Sequence, residues 1–199
     1  MATLRVALTG GIATGKTFCL GVFAAEGVPT IDADRLAHDA VAPGTPGHAA
    51  VVARFGAGVV APSGALDRPA LGRIVFGDGR ARRELEAIIH PGVYRAVDRW
   101  FAELGDTNEP LGIADIPLLY ETGREIDFDV VIVAACPPAM QIARLTSRNG
   151  LTPQEAAQRM ASQMPIAEKV ERADYVIDTS GSFAETETQV RGVREALRQ

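Results

Sequence analysis

The 199-residue sequence has few cysteines, few lysines and no long apolar run, and the first and last of these shortages each argue against a class of protein. Its two cysteines, Cys19 and Cys136, lie far apart without metal-type spacing, which argues against a disulfide framework and favours reduced thiols in a cytoplasmic protein. No stretch of about 18 apolar residues is present, so we expect no membrane span. The apolar segment at residues 4–8 is too short for the core of a signal peptide, so we expect no export.

An excess of positive charge is also absent. The net charge is −5, with 47% hydrophobic and 23% charged residues, which is typical of a globular domain and does not favour nucleic-acid binding. At about 100–200 residues per domain, we expect residues 1–199 to form one domain. All but two of the 20 basic residues are arginine, so each retained lysine, Lys16 and Lys169, is slightly more indicative of a specific role.

Short apolar segments alternate with helical periodicity along the chain. Strands are predicted at residues 4–8, 28–31, 111–116, 130–134 and 175–177. Helices are predicted at residues 17–26, 34–41, 48–55, 80–104, 137–149 and 153–164, and after a capping box at 182–185. This alternation favours βα units and a mostly parallel sheet that helices cover on both faces.

The strongest motif is the segment GGIATGKT at residues 10–17, between the first predicted strand and the first predicted helix. It fills every defined position of the G-x-x-x-x-G-K-[ST] pattern. Its glycines let successive N–H groups turn into one concavity, and the helix N-terminus adds partial positive charge, so phosphate groups suit it. Lys16 would reach the β- and γ-phosphates, and the Thr17 hydroxyl would hold Mg²⁺. The alternative is a glycine-rich turn with a chance lysine.

A phosphate loop alone does not identify what is phosphorylated, but other motifs narrow the class. The guanine-reading N-K-x-D pattern is absent, and the D-x-x-G at residues 178–181 lies near the C-terminus, which argues against a GTPase. The chain is also too short for a large ATPase motor. A small-molecule kinase of the nucleoside-monophosphate-kinase type remains.

Acidic residues follow two of the predicted strands. Asp32 and Asp34 follow the second strand, where an extended backbone would point them the same way, and Asp115 follows the third. Because the carboxyl ends of parallel strands line the ligand crevice, one carboxylate could accept the proton of a substrate hydroxyl and another could bind Mg²⁺. The alternatives are that Asp34 is the N-cap of a helix starting at Arg35 and that Asp115 is an ordinary loop acid.

Basic side chains cluster in a predicted helical hairpin. Arg144 and Arg148 lie one turn apart, and Arg159 lies on the next helix, so the hairpin could fold over ATP and neutralise the transferred phosphoryl group. The alternative is three solvated arginines. His90 precedes Pro91 within a predicted helix, where the alternative is an ordinary packing or surface histidine.

Several separated motifs resemble those of the dephospho-CoA kinase family, and the resemblance covers nearly the whole chain. The motifs occupy residues 7–12, 31–34, 41–47, 55–56, 67–71, 74–76, 90–91, 115–121 and 173–178. The resemblance implies an α/β P-loop three-layer fold with a five-stranded parallel sheet, a helical lid at about residues 139–170 and a helical substrate-binding region within about residues 34–105. It also implies Mg²⁺-dependent transfer of the γ-phosphoryl group of ATP to the ribose 3′-hydroxyl of dephospho-CoA. We further expect a monomer or weak homo-oligomer that binds neither nucleic acid nor membranes.

The motifs and the resemblance together give the expected site. The expected catalytic residues are Asp34, Asp32, Lys16 and Arg144, with Asp34 or Asp32 as the base. The expected nucleotide-binding residues are Gly11, Ile12, Ala13, Thr14, Gly15, Lys16, Thr17, Phe18, Arg148, Asp178 and Gly181. The expected substrate-binding residues are Thr9, Asp34, His90, Leu118, Leu119 and Glu121, and the expected metal-binding residues are Thr17, Asp32 and Asp115. The sequence departs from the family pattern at Ala13, where glycine is usual, at His38, where arginine is usual, at Tyr120, where phenylalanine is usual, and at Thr179, where asparagine is common.

Two rival functions fit the phosphate loop. One is another P-loop small-molecule kinase, which would respond to its own acceptor and ignore dephospho-CoA. The other is a regulatory module that binds ATP without transferring phosphate. Asp32 and Asp34 argue against the regulatory module, because a sensor needs no base for a hydroxyl.

Overall fold

Strand β1 (Leu4–Gly10) is the middle strand of a five-stranded sheet in the computed structural model, which describes residues 3–198. The strand order is β2-β3-β1-β4-β5, and every pairing is parallel. The other strands are β2 (Thr30–Asp32), β3 (Leu111–Asp115), β4 (Val130–Ala135) and β5 (Tyr175–Asp178). The predicted α/β fold with a five-stranded parallel sheet is confirmed.

The register of the strands brings polar residues to one edge of the sheet. Asp115 of β3 is the Cα partner of Leu8 on one side and of Asp32 on the other. On the other half of the sheet, Gly10 pairs with Ala134. The carboxyl ends of β1, β2 and β3 therefore meet where a parallel sheet places its ligand crevice.

The core around β1 fixes the helix that follows it. Leu8, Phe23 and Ile132 are fully buried in one cluster, together with side chains from the last helix. Complete burial of a leucine, isoleucine or phenylalanine side chain stabilises a fold by about 1.5–3 kcal/mol. The first helix is thus held against the sheet, with its N-terminus at the end of β1.

Nine α-helices are present in the described part of the chain. Their bounds are α1 Lys16–Ala25, α2 Ala33–Ala40, α3 Pro46–Phe55, α4 Arg68–Gly77, α5 Gly79–Asp106, α6 Pro138–Asn149, α7 Pro153–Met160, α8 Ile166–Glu171 and α9 Phe183–Ala196. Short 3₁₀ turns occupy Ala57–Val59 and Glu125–Asp127. Between residues 3 and 198, no helix combines the length and apolar character that a bilayer crossing requires.

The structure corrects several predicted elements. Helix α7 ends at Met160 rather than at residue 164, and a separate helix, α8, begins after Pro165, which cannot donate the hydrogen bond that a continuous helix needs. Helix α4 was not predicted, although Asp67 accepts a hydrogen bond from the Ala70 N–H (2.9 Å) as its N-cap. Strand β2 begins at Thr30, two residues later than expected.

Chain contacts divide the protein into two compact units, one formed by residues up to Asp32 and from Phe101, the other by Ala33–Trp100. The second unit has its own apolar cluster, which contains Val41, Val51, Val59 and Leu71. Within it, α2 begins at Ala33, so Asp34 lies inside the first helical turn. The suggestion that Asp34 is an N-cap is therefore wrong, and the strand alternation expected to align Asp34 with Asp32 does not extend beyond β2.

Candidate active site

The segment from Gly10 to Thr17, the phosphate loop, joins β1 to α1 with a backbone that its sequence permits. Gly15 is the N-cap of α1 with a φ of 85°, in the left-handed region that glycine enters without a steric penalty. At Gly10, an added Cβ would lie 2.5 Å from the carbonyl oxygen of Ala134, so only glycine fits beside β4. The start of the phosphate loop therefore packs directly against the backbone of β4.

Ala13 is the exception within the phosphate loop. Its φ is 60°, a left-handed value that costs a residue with a Cβ about 1–2 kcal/mol. This conformation gives a physical reason for the glycine that is usual at the position. The surrounding contacts therefore have to hold Ala13 in place.

Lys16 and Asp115 form an ion pair at the base of the loop. The side chain of Lys16 is 14% exposed and that of Asp115 is 5% exposed, so little water screens the pair. Asp115 ends β3, next to Asp32 in the sheet register. The predicted lysine and two of the predicted acids are thus brought to one sheet edge.

This edge also offers oxygen donors that suit Mg²⁺. Thr17 is exposed in the first turn of α1, and Asp32 ends β2. Mg²⁺ commonly takes one or two carboxylates and completes its shell with substrate phosphates and water. Within residues 3–198, no three His, Cys, Asp or Glu side chains are grouped to hold a metal by themselves. The donor set therefore fits an ion that arrives with a nucleotide.

Arg144 and Thr179 donate hydrogen bonds to backbone carbonyl groups of the phosphate loop. The Arg144 guanidinium donates to the carbonyl oxygens of Ala13 (3.2 Å) and Thr179 (2.7 Å). The Thr179 hydroxyl, which is buried, donates to the carbonyl oxygen of Thr14 (2.5 Å). The residue that replaces the common asparagine thus supports the loop directly, and Arg144 holds the strained Ala13.

The two other arginines of the predicted lid have different surroundings. Arg148 is exposed, and its Nε donates to the Asn149 side chain (3.1 Å). Arg159 is also exposed, on α7. The structure thus brings Arg144 to the loop and leaves Arg148 and Arg159 at the surface.

Two glutamines form hydrogen bonds with the backbone of the same loop residue, Ile12. The Gln141 amide nitrogen donates to the carbonyl oxygen of Ile12 (2.7 Å), and the Ile12 N–H donates to the Gln163 side chain (2.8 Å). Neither glutamine was predicted as a site residue, because no motif in the sequence marks them. Gln163 lies between α7 and α8, in a stretch that was predicted as the end of a helix over residues 153–164.

Lys169 is the most deeply buried functional group that sequence analysis left unassigned. Its side chain is completely buried, and its ammonium donates to the carbonyl oxygens of Pro117 (3.0 Å) and Gly10 (3.4 Å) and pairs with Glu121 (2.9 Å). Burial lowers the pKa of the Lys169 ammonium below its usual value, and the hydrogen bond that the ammonium donates to Glu121 opposes this. The one signal in the sequence was its rarity, as one of two lysines.

The remaining predicted residues fall in three places. Leu118, Leu119 and Glu121 follow β3, where Leu119 is fully buried and the Glu121 carboxylate also accepts the Met164 N–H (2.8 Å). Asp178 ends β5, beside an open cavity of about 520 Å³ whose lining includes Gly181. Their contacts with any ligand stay predictions.

His90 lies on α5 in the second unit, with its ring 5.4 Å from that of Tyr94. Burial lowers the pKa of the His90 imidazole below its usual value, and the charge of Glu86 opposes this.

A phosphate loop at the carboxyl edge of a parallel sheet, with its lysine held by a strand-end aspartate and a second carboxylate alongside, defines a P-loop kinase. Sequence comparison narrows this class, because residues 4–185 match the family model of dephospho-CoA kinase. The chain belongs to the dephospho-CoA kinase family.

Known proteins agree with this assignment. A curated dephospho-CoA kinase from Anaeromyxobacter dehalogenans is 49% identical over 177 residues, covering 89% of this chain and 84% of the relative. The crystal structure of TT1252 from Thermus thermophilus superposes with a TM-score of 0.85 at 32% identity and covers 98% of both chains. A dephospho-CoA kinase structure from Campylobacter jejuni gives a TM-score of 0.73 at 26% identity, covering 97% of this chain and 96% of that one.

Proposed function

We propose that the protein transfers the γ-phosphoryl group of ATP to the ribose 3′-hydroxyl of dephospho-CoA, which yields coenzyme A and ADP. The observation that carries this proposal is the complete phosphate loop, with Lys16 paired to Asp115, in a chain of this family. We also propose that the enzyme acts in the cytoplasm, as a monomer or weak homo-oligomer.

The nucleotide would bind along the phosphate loop and the helix that follows it. The N–H groups from Ala13 to Phe18 would contact the phosphates at the positive end of α1. Lys16 would neutralise charge on the β- and γ-phosphates, and the pair with Asp115 supports this role because it holds the ammonium at the loop. Arg144 would act through Ala13 and would reach the phosphates when the lid closes. Arg148, Asp178 and Gly181 would bind the rest of the nucleotide.

The acceptor hydroxyl would lose its proton to Asp32 or Asp34. The 3′-oxygen forms a bond to the γ-phosphorus while the bond from that phosphorus to the β,γ-bridging oxygen breaks, and ADP leaves with the bridging oxygen. Mg²⁺, held by Thr17 and Asp32 with Asp115 nearby, would neutralise phosphate charge when bound. Thr9, His90, Leu118, Leu119 and Glu121 would hold the rest of dephospho-CoA.

The experiment is ADP release by purified protein with Mg-ATP, measured with and without dephospho-CoA. We expect strong stimulation by dephospho-CoA, together with formation of coenzyme A. The matched control is Lys16→Met, which keeps the length of the side chain and removes its charge. No stimulation of a folded, ATP-binding protein would refute the proposal and would favour another acceptor or a regulatory role.

The same assay separates the two candidate bases. Asp32→Asn and Asp34→Asn each remove one carboxylate at nearly constant volume. Loss of the base lowers kcat and removes the acid limb of the pH profile, whereas loss of a metal partner is relieved by a higher Mg²⁺ concentration. If both variants keep the wild-type rate and pH profile, neither carboxylate is the base.

A further inference from the structure

The buried ammonium of Lys169 joins segments that the mechanism requires to be held together. Its three donors meet three acceptors, the carbonyl oxygens of Gly10 and Pro117 and the carboxylate of Glu121. Gly10 begins the phosphate loop, and Pro117 lies two residues after Asp115, which holds Lys16. One side chain therefore fixes the start of the phosphate loop relative to the segment after β3.

A second contact ties the same strands together. The Thr9 hydroxyl donates to the Pro117 carbonyl oxygen (3.2 Å), which Lys169 also uses as an acceptor. The ends of β1 and β3 are thus joined by a shared carbonyl group in addition to their ladder. Without the ammonium, the Thr9 hydrogen bond and the hydrogen bond from the Ile116 N–H to the Leu8 carbonyl oxygen (2.9 Å) would still join these segments, but Glu121 and Gly10 would lose their shared donor.

The segment that carries Lys169 touches the phosphate loop twice. Gln163 accepts the hydrogen bond of the Ile12 N–H, and Lys169 donates to the Gly10 carbonyl. The Met164 N–H, between them in sequence, donates to Glu121. The connection between lid helix α7 and strand β5 is therefore attached to the loop at both ends of residues 163–169.

A need for stability alone explains this lysine poorly. Moving an ammonium out of water is costly, and well-packed apolar residues commonly stabilise an interior as well as a buried ion pair does. The ammonium instead fixes geometry, because its three N–H groups hold three acceptor oxygen atoms at defined positions relative to one another. Such orientation matters most where reacting groups must align, and a misplacement of about 1 Å can cost about 100-fold in rate.

We propose that Lys169 is a positioning residue for phosphoryl transfer, which aligns the phosphate loop with the segment after β3 through Gly10, Pro117 and Glu121. The inference rests on the proposed function. In this proposal Lys169 acts through Lys16 and the phosphate loop, and it needs no contact with either substrate.

The test compares Lys169→Met, Lys169→Gln and Lys169→Arg with the wild type. We expect kcat to fall about 100-fold in the two neutral variants, with a smaller rise in KM for ATP. Lys169→Arg keeps the charge and should recover at least part of kcat. If Lys169→Met fails to fold, Lys169→Gln carries the comparison, because it is shorter and keeps one donor group.

The matched control is Val190→Ala, a fully buried position on α9 in the main core. It lowers stability without touching the phosphate loop, and active-site titration counts the folded molecules of each variant. The proposal predicts that kcat per folded molecule stays within about twofold of wild type in this control. A neutral Lys169 variant that also stays within about twofold, or an arginine variant no faster than the methionine variant, would overturn the proposal.

ADP binding separates this inference from the proposed function. If wild-type protein ignores dephospho-CoA, the proposed function fails, whatever the variants do. Titration with a fluorescent ADP analogue then tests Lys169 alone. Weaker binding in Lys169→Met than in Val190→Ala supports positioning of the loop, and equal affinity in the two overturns it.

Discussion

Replacement of Lys16 with alanine should impair stability as well as catalysis. In the folded protein the Lys16 ammonium faces the Asp115 carboxylate, and both side chains are largely shielded from water. Alanine removes the cation and leaves the carboxylate in a site that is only 5% exposed. The Lys16→Ala protein should therefore also unfold more easily than the wild type.

The size of the effect follows from this burial. Breaking a buried ion pair from one side costs about 3–5 kcal/mol, and the partly exposed Lys16 places the expected loss near the lower end, at about 3 kcal/mol. A domain has about 5–15 kcal/mol of stability, so the variant should still fold. The rate should fall by at least about 10²–10³, the usual effect of removing one preorganised group that stabilises the transition state.

Urea unfolding followed by circular dichroism measures the first effect, and ADP release measures the second. The double variant Lys16→Met, Asp115→Asn removes both charges, so we expect it to regain about 2 kcal/mol over Lys16→Ala while staying inactive. If Lys16→Ala is as stable as the wild type, the buried pair is not what holds Asp115. If it keeps a rate near that of the wild type, Lys16 is not the phosphate-binding lysine.

Two further predictions concern backbone strain and helix capping. Ala13→Gly should raise stability by about 0.5–1 kcal/mol in urea unfolding, because glycine relieves a φ of 60°, and a loss would contradict that conformation. Glu185 receives hydrogen bonds from Ser182 that lower its pKa below 4.5, so its stabilising effect is present above pH 4.5 and is lost as the pH falls through the lowered pKa. The difference in urea midpoint between wild type and Glu185→Gln should therefore shrink on acidification, and a constant difference would refute the assignment.

Local patterns predicted the sheet well because its strands carry their own signals. Strand β1 is apolar and is followed by glycines, and β4 is β-branched and buried, so neither depends on a distant partner to be recognised. Helix α7 was predicted too long because Pro165 is the first residue in the sequence that must stop a helix, whereas the structure ends the helix at Met160 and Gln163 contacts the Ile12 N–H instead. Ile12 and Gln163 are 151 residues apart in the sequence, so no local pattern around Gln163 indicates their contact.

The same distinction applies to the site. Lys16 stands in a contiguous motif, so its place at the sheet edge could be predicted from spacing alone. Lys169 acts on Gly10 and Pro117, each far away in sequence, and only the fold shows that its ammonium points inward. Thr179 shows the same limit, because the sequence marked it as a departure and the structure shows a hydroxyl bound to the Thr14 carbonyl.

The strand order also has a consequence for how the protein is made. Leu4 pairs with Leu111, and Val6 pairs with Val130, so the central strand emerges from the ribosome long before either neighbour. At about 5–20 residues per second, β1 waits about 5–20 seconds for its first partner. During that time the whole of Ala33–Trp100, with its own apolar cluster, is synthesised. The phosphate loop is thus translated long before the strands on either side of β1, and the apolar β1 is the segment that a nascent-chain chaperone would need to shield.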